Sequence, residues 1–233
     1  MNNNFQRLIA SIGEEAFKNL QNKRVAVIGL GGVGSYAFEV IVRSGINNIL
    51  IIDKDIIDET NINRQLLALN STVGMSKVEL ASKRGLDINS SCNIVKHNVF
   101  LSESNLNLLD DFKPDYVIDC IDSINSKYEL IKYCLLNDIT ILSSMGTAKK
   151  FYPEKLKITT IDKTSVDPIA RIIRKKLKDD KINKKFLVVF SDEIPTESKD
   201  NILSSNAYVP STAGILLASK VVNLILEECK DEK

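Results

Sequence analysis

The sequence predicts an α/β fold built on a doubly wound, mostly parallel β-sheet. Two observations indicate it. Short apolar runs typical of buried strands alternate with amphipathic helical patterns over the first 145 residues. A glycine-rich turn, in the stretch VAVIGLGGVG at 25–34, directly follows the first of these runs, as in Rossmann-like folds. Ligands of such sheets bind beyond the carboxyl ends of the strands, so site residues are expected there.

The elements of the first half follow from hydrophobic periodicity. An amphipathic helix is predicted over 5–21. Strands are predicted at 24–28, 48–52, 93–99, 116–120 and 139–143. Helices are predicted between them at 33–44, 74–88, 103–111 and 124–136.

After about residue 145 the pattern changes. Strands are predicted within KLKITTID (155–162) and KFLVVFS (185–191), around a helix at 167–178. A polar loop at 192–201 and a last helix over roughly 212–227 follow. We interpret this half as an elaboration on the same sheet. The whole chain, 1–233, is then one domain, with a nucleotide-binding half (1–145) and a substrate-binding half (146–233).

Composition excludes several classes of protein. The chain has 233 residues, 26% of them charged, and a net charge of +1, so global charge does not indicate a partner. Its four cysteines contain no C-x-x-C pair, which argues against a zinc site or a disulfide framework and favours the cytoplasm. No signal peptide is recognised. The last helix, interrupted by Ser219, Lys220 and Asn223, is expected to be too polar for stable membrane insertion.

The glycine loop and the acid that follows it predict a nucleotide site. Gly29, Gly31 and Gly34 allow a tight turn that brings amide N–H groups and a helix N-terminus towards phosphate. Asp53, at the end of the next apolar run, has the spacing of a carboxylate that binds a ribose hydroxyl. A structural turn remains the alternative for both features.

Polar and cationic residues after Asp53 favour ATP over a nicotinamide cofactor. The segment NINRQ supplies Asn61, Arg64 and Gln65, and Lys77 opens the next helical pattern. A guanidinium and an ammonium suit a triphosphate better than nicotinamide. Solvated surface charge is the alternative for both cations.

Two acids near the end of the fourth predicted strand are candidates for Mg²⁺. Asp122 lies just beyond that strand, where a carboxylate can hold Mg²⁺ against phosphate oxygens. Asp119 is the rival for this role, or a structural acid at the strand end.

These spaced motifs resemble the ubiquitin-activating-like (HesA/MoeB/ThiF) adenylating enzymes, whose bacterial members activate sulfur-carrier proteins. The resemblance covers roughly residues 5–145. It implies that Gly32 and Asp53 hold the nucleotide and that Asp122 binds magnesium. It also implies that ribose and phosphates are contacted by Asn61, Arg64 and Lys77.

The same resemblance implies a homodimer. Arg7, in the segment FQR, would reach the ATP of the partner subunit as a catalytic finger, beside Arg64, Lys77 and Asp122. Relatives carry two arginines in this N-terminal motif, and this chain has Asn4 in the earlier place.

The second half resembles the branch of that superfamily that acts on tRNA, the threonylcarbamoyladenosine dehydratases. The likeness lies in 143–178 and in LVVFSDEIP, and the zinc-binding cysteines of carrier-activating relatives are absent. The resemblance implies adenylation of the modified nucleoside's carboxylate, followed by ring closure with release of AMP. A sulfur-relay protein of a cysteine desulfurase system is a further candidate partner.

Local charge gives independent support for a tRNA partner. Residues 149–185 contain thirteen Lys or Arg against five Asp or Glu, and a basic surface attracts a polyphosphate backbone. The candidate nucleic-acid-binding residues are Lys149, Lys150, Arg171, Arg174, Lys175, Lys176 and Lys178. A solvated helix face is the alternative. Phe151 and Tyr152 could stack on a flipped-out base or belong to the core.

No nucleophilic cysteine is expected, because Cys120 and Cys134 lie in apolar patterns. Three other functions stay open from the residues alone. They are adenylation of the C-terminal glycine of a ubiquitin-like sulfur carrier, an NAD(P)-dependent oxidoreductase, and a non-catalytic RNA-binding protein on the same fold.

Overall fold

The computed structural model describes residues 3–196 and 203–231. Seven strands form one sheet within these ranges: β1 (Arg24–Ile28), β2 (Asn48–Ile52), β3 (Asn93–His97), β4 (Tyr116–Asp119), β5 (Thr140–Ser144), β6 (Leu156–Thr160) and β7 (Leu187–Ser191). Their order across the sheet is β3-β2-β1-β4-β5-β7-β6. The described pairings are parallel except that of β6 with β7. The predicted fold class, including the elaboration on the same sheet, is confirmed.

Eight α-helices are described: α1 (Gln6–Ile12), α2 (Glu14–Asn22), α3 (Gly34–Arg43), α4 (Lys77–Ile88), α5 (Asn107–Phe112), α6 (Ile124–Leu136), α7 (Pro168–Asp179) and α8 (Tyr208–Asp231). Helices α2, α3, α4 and α8 cover one face of the sheet, and α5, α6 and α7 cover the other.

Both faces of the central strands are buried, which explains why β1 and β2 are almost entirely apolar. In β1, Val25 and Val27 join one hydrophobic core, while Ala26 and Ile28 join the other. Successive residues of a strand point to opposite faces, so a strand covered on both sides has no polar face.

The strand order places a crevice at the carboxyl edge of the sheet. From β1 the chain proceeds outward through β2 and β3, then returns to the other side of β1 with β4 and β5. The loops after β1 and β4 diverge at this point, which is where open α/β sheets bind ligands. The glycine loop follows β1 into this crevice.

Some element boundaries differ from the prediction. The helix predicted over 5–21 is two helices, separated at Gly13, whose φ of +86° is incompatible with a continuing helix. The last helix begins at Tyr208, earlier than predicted. Pro210 does not prevent this, because it falls in the first turn of the helix, where proline is tolerated. Most of the polar loop predicted at 192–201 lies outside the described residues.

The mean hydropathy of helix α8 is higher than its polar residues Ser219, Lys220 and Asn223 led us to expect. The stretch Tyr208–Cys229 has a mean hydropathy of 1.6 and meets the length and composition criteria for crossing a membrane. Polarity alone therefore does not exclude insertion, contrary to our expectation. Half of this stretch is buried inside the protein, against α3 and the sheet, and core helices pass the same test.

Gly214 lets α8 approach α3 closely, and we expect its substitution by alanine to lower stability. A Cβ at this position would overlap the carbonyl oxygen of Val33 and lie 3.1 Å from Ala37 N. Backbone atoms cannot move aside as a side chain can, so a loss of about 1–3 kcal/mol is expected. In a domain of this size this corresponds to a Tm decrease of roughly 2–12 °C, measurable by calorimetry.

The matched control is Ile215→Ala, one residue further on at an exposed position. Equal melting temperatures of the Gly214→Ala and Ile215→Ala variants would contradict the packing argument.

Candidate nucleotide-binding site

A cavity of about 520 Å³ opens at the carboxyl edge of the sheet. Its lining comes from the loops after β1 to β5 and from the chain that enters α8. Nine predicted site residues are among the lining: Gly29, Gly31, Gly32, Asp53, Asn61, Arg64, Gln65, Lys77 and Asp122. The carboxyl edge of the sheet therefore brings together residues that are far apart in sequence, as predicted.

The glycine loop needs glycine for steric reasons. Gly29 has a φ of +88°, and a Cβ there would lie 2.9 Å from the carbonyl oxygen of Cys120. Gly34, the first residue of α3, is buried against the same turn, where a Cβ would overlap Gly29 O. Gly31 and Gly32 face the cavity. The loop thus closes tightly and presents backbone to the cavity, as phosphate-binding loops do.

Asp53 connects the glycine loop to the loop after β2. Its Oδ2 accepts a hydrogen bond from Leu30 N at 2.6 Å, and its Oδ1 accepts one from Asp55 N at 2.8 Å. A carboxylate has about four acceptor sites, so both oxygens can still accept a hydroxyl donor. Ribose binding by Asp53 stays a prediction, and its role in holding the two loops is an addition to it.

The two predicted cations line the same cavity. Lys77 is 4% exposed and its Nζ lies 3.1 Å from Asp55 Oδ2. Arg64 donates from Nη1 to the carbonyl oxygen of Thr60 at 2.7 Å and to Asn63 Oδ1 at 2.8 Å. A solvated surface position, the alternative for both, is excluded for Lys77 by its burial.

Asp55 is a site residue that the sequence analysis missed. Burial opposes its ionisation, but hydrogen bonds from Lys54 and Lys77 hold the pKa of Asp55 below its usual value. The acid therefore stays ionised and keeps Lys77 at the cavity wall. An acid two residues after Asp53 was visible in the sequence, but its partner was not.

Gln65 carries an unsatisfied polar atom. The side chain is 7% exposed, and its Oε1 is buried without a hydrogen-bond partner. Buried polar atoms are nearly always paired, so an orphan in a cavity wall indicates a missing donor. A donor group of a bound molecule would satisfy it.

The two candidate metal-binding acids are separated by the structure. Asp119 is fully buried, and its Oδ2 accepts from Lys127 Nζ at 2.6 Å and from the Ser143 hydroxyl. Its Oδ1 accepts from Ile121 N. Asp119 is therefore the structural acid of the two. Asp122 is exposed and lines the cavity, so it remains the candidate for Mg²⁺.

The single carboxylate of Asp122 is compatible with a magnesium site that is completed by phosphate oxygens of a nucleotide. Within residues 3–196 and 203–231, no cluster of three or more His, Cys, Asp or Glu could enclose a metal ion by itself. Mg²⁺ at nucleotide sites is commonly held by one or two carboxylates together with phosphate oxygens. Asp122 could therefore hold Mg²⁺ only together with a bound nucleotide.

The basic segment contains one wrong prediction. Lys150 is fully buried, with its Nζ 3.0 Å from Asp167 Oδ2 and 2.7 Å from Gly146 O, so it cannot contact RNA at the surface. A lysine between Lys149 and two aromatic residues gave no sign of this burial, because Asp167 lies 17 residues away.

The other basic residues divide into two groups. Arg174 donates to Thr164 and Lys176 to Asn125 Oδ1 at 3.3 Å, so both take part in packing, and Arg174 is not a free cation. Lys149 is half-buried with its backbone bonded to Ser204. Exposed positions are occupied by Arg171, Lys175 and Lys178.

Arg7 is exposed on α1 and is not among the lining residues of the cavity in its own chain. Its role stays a prediction. Cys134 is fully buried, as expected, whereas Cys120 follows β4 and lines the cavity. Burial, with Asp119 nearby, raises the pKa of the Cys120 thiol, so it is a poor nucleophile.

One cavity is lined by the glycine loop, by the acid Asp53 and by the cations Arg64 and Lys77. These features define a nucleotide-binding α/β protein. The chain belongs to the ThiF family, whose sequence model matches residues 4–228. The superfamily inferred from the spaced motifs is thereby confirmed.

The chain is similar to tRNA threonylcarbamoyladenosine dehydratases. That of Bacillus subtilis is 42% identical over 241 residues, which cover 96% of this chain and 95% of the relative. That of Escherichia coli K12 is 37% identical over 168 residues, covering 72% of this chain and 63% of the relative. A crystal structure of the E. coli enzyme in complex with ATP has a TM-score of 0.92 at 30% identity, covering 99% of this chain and 96% of that one.

We expect Lys127→Met to destabilise the protein, although Lys127 does not line the cavity. Its ammonium is 1% exposed, and removing it leaves the carboxylate of Asp119 buried without a cation. Breaking a buried pair on one side costs about 3–5 kcal/mol. Urea unfolding should show this loss as a lower midpoint.

The double variant Asp119→Leu/Lys127→Met serves as the control, because replacing both charges by apolar groups is often neutral. Equal stability of the single Lys127→Met variant and the wild type would contradict the buried pair.

Proposed function

We propose that this protein uses ATP to adenylate the carboxylate of threonylcarbamoyladenosine in tRNA. The carboxylate oxygen attacks the α-phosphorus, pyrophosphate leaves, and an acyl adenylate forms. A neighbouring group of the modification then attacks the acyl carbon and AMP leaves. The sum of the two steps is ring closure with loss of one water, at the expense of ATP.

The observation that carries the ATP half is the convergence of unlike groups on one cavity. A phosphate-binding turn, two cations, an exposed acid and an orphan amide oxygen serve no common structural purpose. Together they match the parts of a nucleoside triphosphate. The tRNA half is supported by dehydratases that match this chain over nearly its whole length.

Each cavity residue has a role that follows from its chemistry. Arg64 and Lys77 offset negative charge on the triphosphate and on departing pyrophosphate. Asp53 accepts hydroxyl hydrogens of the ribose, and Gln65 Oε1 accepts from a nucleotide donor. No general base is needed, because the attacking carboxylate is ionised at neutral pH.

Asp122, together with phosphate oxygens, would hold Mg²⁺, which neutralises phosphate charge when bound. Asp122 follows β4, whereas Arg64 and Lys77 follow β2, and these two strands flank β1 in the sheet. In this proposal Arg64 and Lys77 contact the phosphates from the end of β2, and Asp122 does so from the end of β4.

Ring closure needs proximity more than a protein nucleophile. The cavity provides no activated thiol, since the pKa of Cys120 is raised. Thr147 and Ala148, after β5, form the side of the cavity away from the loop after β2. We assign this side to the nucleoside substrate.

We also propose a homodimer in which Arg7 enters the cavity of the partner subunit. In a single chain no residue of α1 is fully buried: Ile12 packs partly against the core, and the apolar Leu8 and Ile9 keep part of their surface exposed. A partner subunit would cover this surface. A cytoplasmic location and a sulfur-relay partner belong to the same proposal, and dehydration does not chemically require the latter.

The decisive experiment follows the nucleoside. Protein, ATP and magnesium are incubated with tRNA carrying threonylcarbamoyladenosine, and nucleosides are analysed by mass spectrometry. We expect loss of one water from the modified nucleoside and one pyrophosphate per product. Pyrophosphate release with a Gly-Gly-tailed carrier protein and not with tRNA would instead assign the carrier reaction.

In the same assay we expect Lys77→Ala and Asp122→Asn to lose about 10²-fold or more of the activity, because each removes charge stabilisation at the phosphates. Binding of tRNA should be nearly unchanged. Lys83→Ala, at an exposed position of α4, is the matched control. Full turnover by the Lys77→Ala variant would contradict the assignment of this cavity as the nucleotide site.

Mixing two inactive variants tests whether Arg7 acts in the cavity of the partner subunit. Arg7→Ala and Asp122→Asn chains, once exchanged, form dimers in which one cavity has both an intact Asp122 and the partner's intact arginine. Since half of randomly exchanged dimers hold one such cavity, about a quarter of wild-type turnover is expected. No recovery, with subunit exchange verified by native mass spectrometry, would place Arg7 outside the partner's site.

A further inference from the structure

Two consecutive aromatic side chains protrude from the loop between β5 and β6. Phe151 is 49% exposed and Tyr152 is 51% exposed. Membership of the core, one of the two alternatives for this pair, is therefore excluded. Large aromatic side chains bury most of their surface in most proteins, so an exposed pair calls for a physical reason.

A buried carboxylate fixes the backbone beneath the pair. Glu193 is 5% exposed, its Oε1 accepts from Phe151 N at 2.8 Å and its Oε2 accepts from Tyr152 N at 3.0 Å. No Lys or Arg forms an ion pair with Glu193 in the described part of the chain. The charge of Glu193 is thus satisfied by amide N–H groups, which makes these hydrogen bonds strong.

The residue before the pair is fixed as well. Lys150 Nζ is bonded to Asp167 and Gly146, and the carbonyl oxygen of Lys150 accepts from Asn206 Nδ2 at 2.7 Å. Buried polar groups therefore hold the loop in one conformation while leaving both rings in solvent. This arrangement fixes the backbone from which the rings project, which lowers the cost in entropy of stacking a molecule on them.

The pair lies next to the nucleotide cavity, on its substrate side. Ala148 lines the cavity, and Phe151 follows three residues later, which is at most about 11 Å of extended chain. Of the four lysines from Lys149 to Lys157, Lys150 is buried against Asp167 and Lys157 is paired with Asp192. Lys149 and Lys155 are the two that remain near the rings, against one acid, Glu154. Lys155 Nζ lies 4.8 Å from the centroid of the Tyr152 ring. Aromatic rings among cations favour a single-stranded nucleic acid as the occupant.

We propose that Phe151 and Tyr152 form a stacking platform for nucleobases adjacent to the reacting nucleoside of the RNA substrate. This inference rests on the proposed function and adds to it a contact that positions the RNA. The platform would splay out unpaired bases and hold the modified nucleoside at the cavity, with Glu193 as a positioning residue.

The absence of tryptophan from the sequence gives a direct test. Tyr152→Trp introduces a single fluorophore that retains a stacking surface. The probe is an anticodon stem-loop RNA carrying threonylcarbamoyladenosine, added with a non-hydrolysable ATP analogue. We expect strong quenching, because a base stacked on the indole quenches its emission.

Leu136→Trp is the matched control. Leu136 is exposed at the last residue of α6, and that helix leads away from the carboxyl edge of the sheet. Its emission should not change on addition of the RNA. Quenching in neither variant, or equally in both, would overturn the proposal.

Steady-state kinetics provide a second test of the stacking platform. Phe151→Ala/Tyr152→Ala should raise KM for the RNA about 10- to 100-fold, the effect of losing one or two base stacks. The Kd for ATP and the Tm should stay as in the wild type, and Tyr152→Phe should retain the wild-type KM. An unchanged KM, or a change in oligomeric mass in place of the change in KM, would overturn the platform and favour a protein contact.

Failure of the platform and failure of the proposed function are distinguishable. If the wild-type protein leaves the nucleoside mass unchanged, the proposed function fails whatever the fluorescence shows. If the wild type forms the product and the alanine variant matches its KM, only the platform fails.

Discussion

The geometry of the candidate site depends on one carboxylate, Asp53. Its two oxygens accept from Leu30 N in the glycine loop and from Asp55 N in the loop after β2. Hydrogen bonds to a charged group contribute about 1.5–3 kcal/mol each, enough to hold two otherwise independent loops in one register. Asp55 in turn binds Lys77, so the link extends from β1 through β2 to the start of α4.

Buried charge serves the same purpose on the other side of the crevice. Asp119 with Lys127 fixes the end of β4, and Asp167 with Lys150 fixes the end of β5. Buried pairs add little net stability compared with apolar residues, so their presence at two neighbouring strand ends points to geometry as their purpose. They hold the loops that line the cavity without occupying it.

Local rules predicted the fold well where one element decides its own structure. β1, β2 and α6 begin and end where periodicity placed them, because apolar residues there are continuous and bounded by turn residues. The site was also predictable, since parallel strands end at one edge and Gly29, Asp53 and Asp122 each follow a strand. The break at Gly13 was missed because the apolar spacing continues across it.

Pairing of charges at long range could not be predicted in the same way. Lys150 and Lys149 are alike in sequence, yet one is buried, and the difference is made by Asp167. Glu193 meets the amides of Phe151 and Tyr152 from 42 and 41 residues away. Nothing within a short window of sequence distinguishes a lysine that will find a buried carboxylate from one that stays in water.

The ion pair between Lys77 and Asp55 has a consequence for selectivity. A small anion such as chloride gains little from this ammonium, because the nearby carboxylate of Asp55 already offsets its charge. A polyphosphate chain that also meets Arg64 and the glycine-loop amides gains enough contacts to make that exchange favourable. The pair between Lys77 and Asp55 therefore favours a ligand that contacts several groups of the cavity at once over one that meets Lys77 alone.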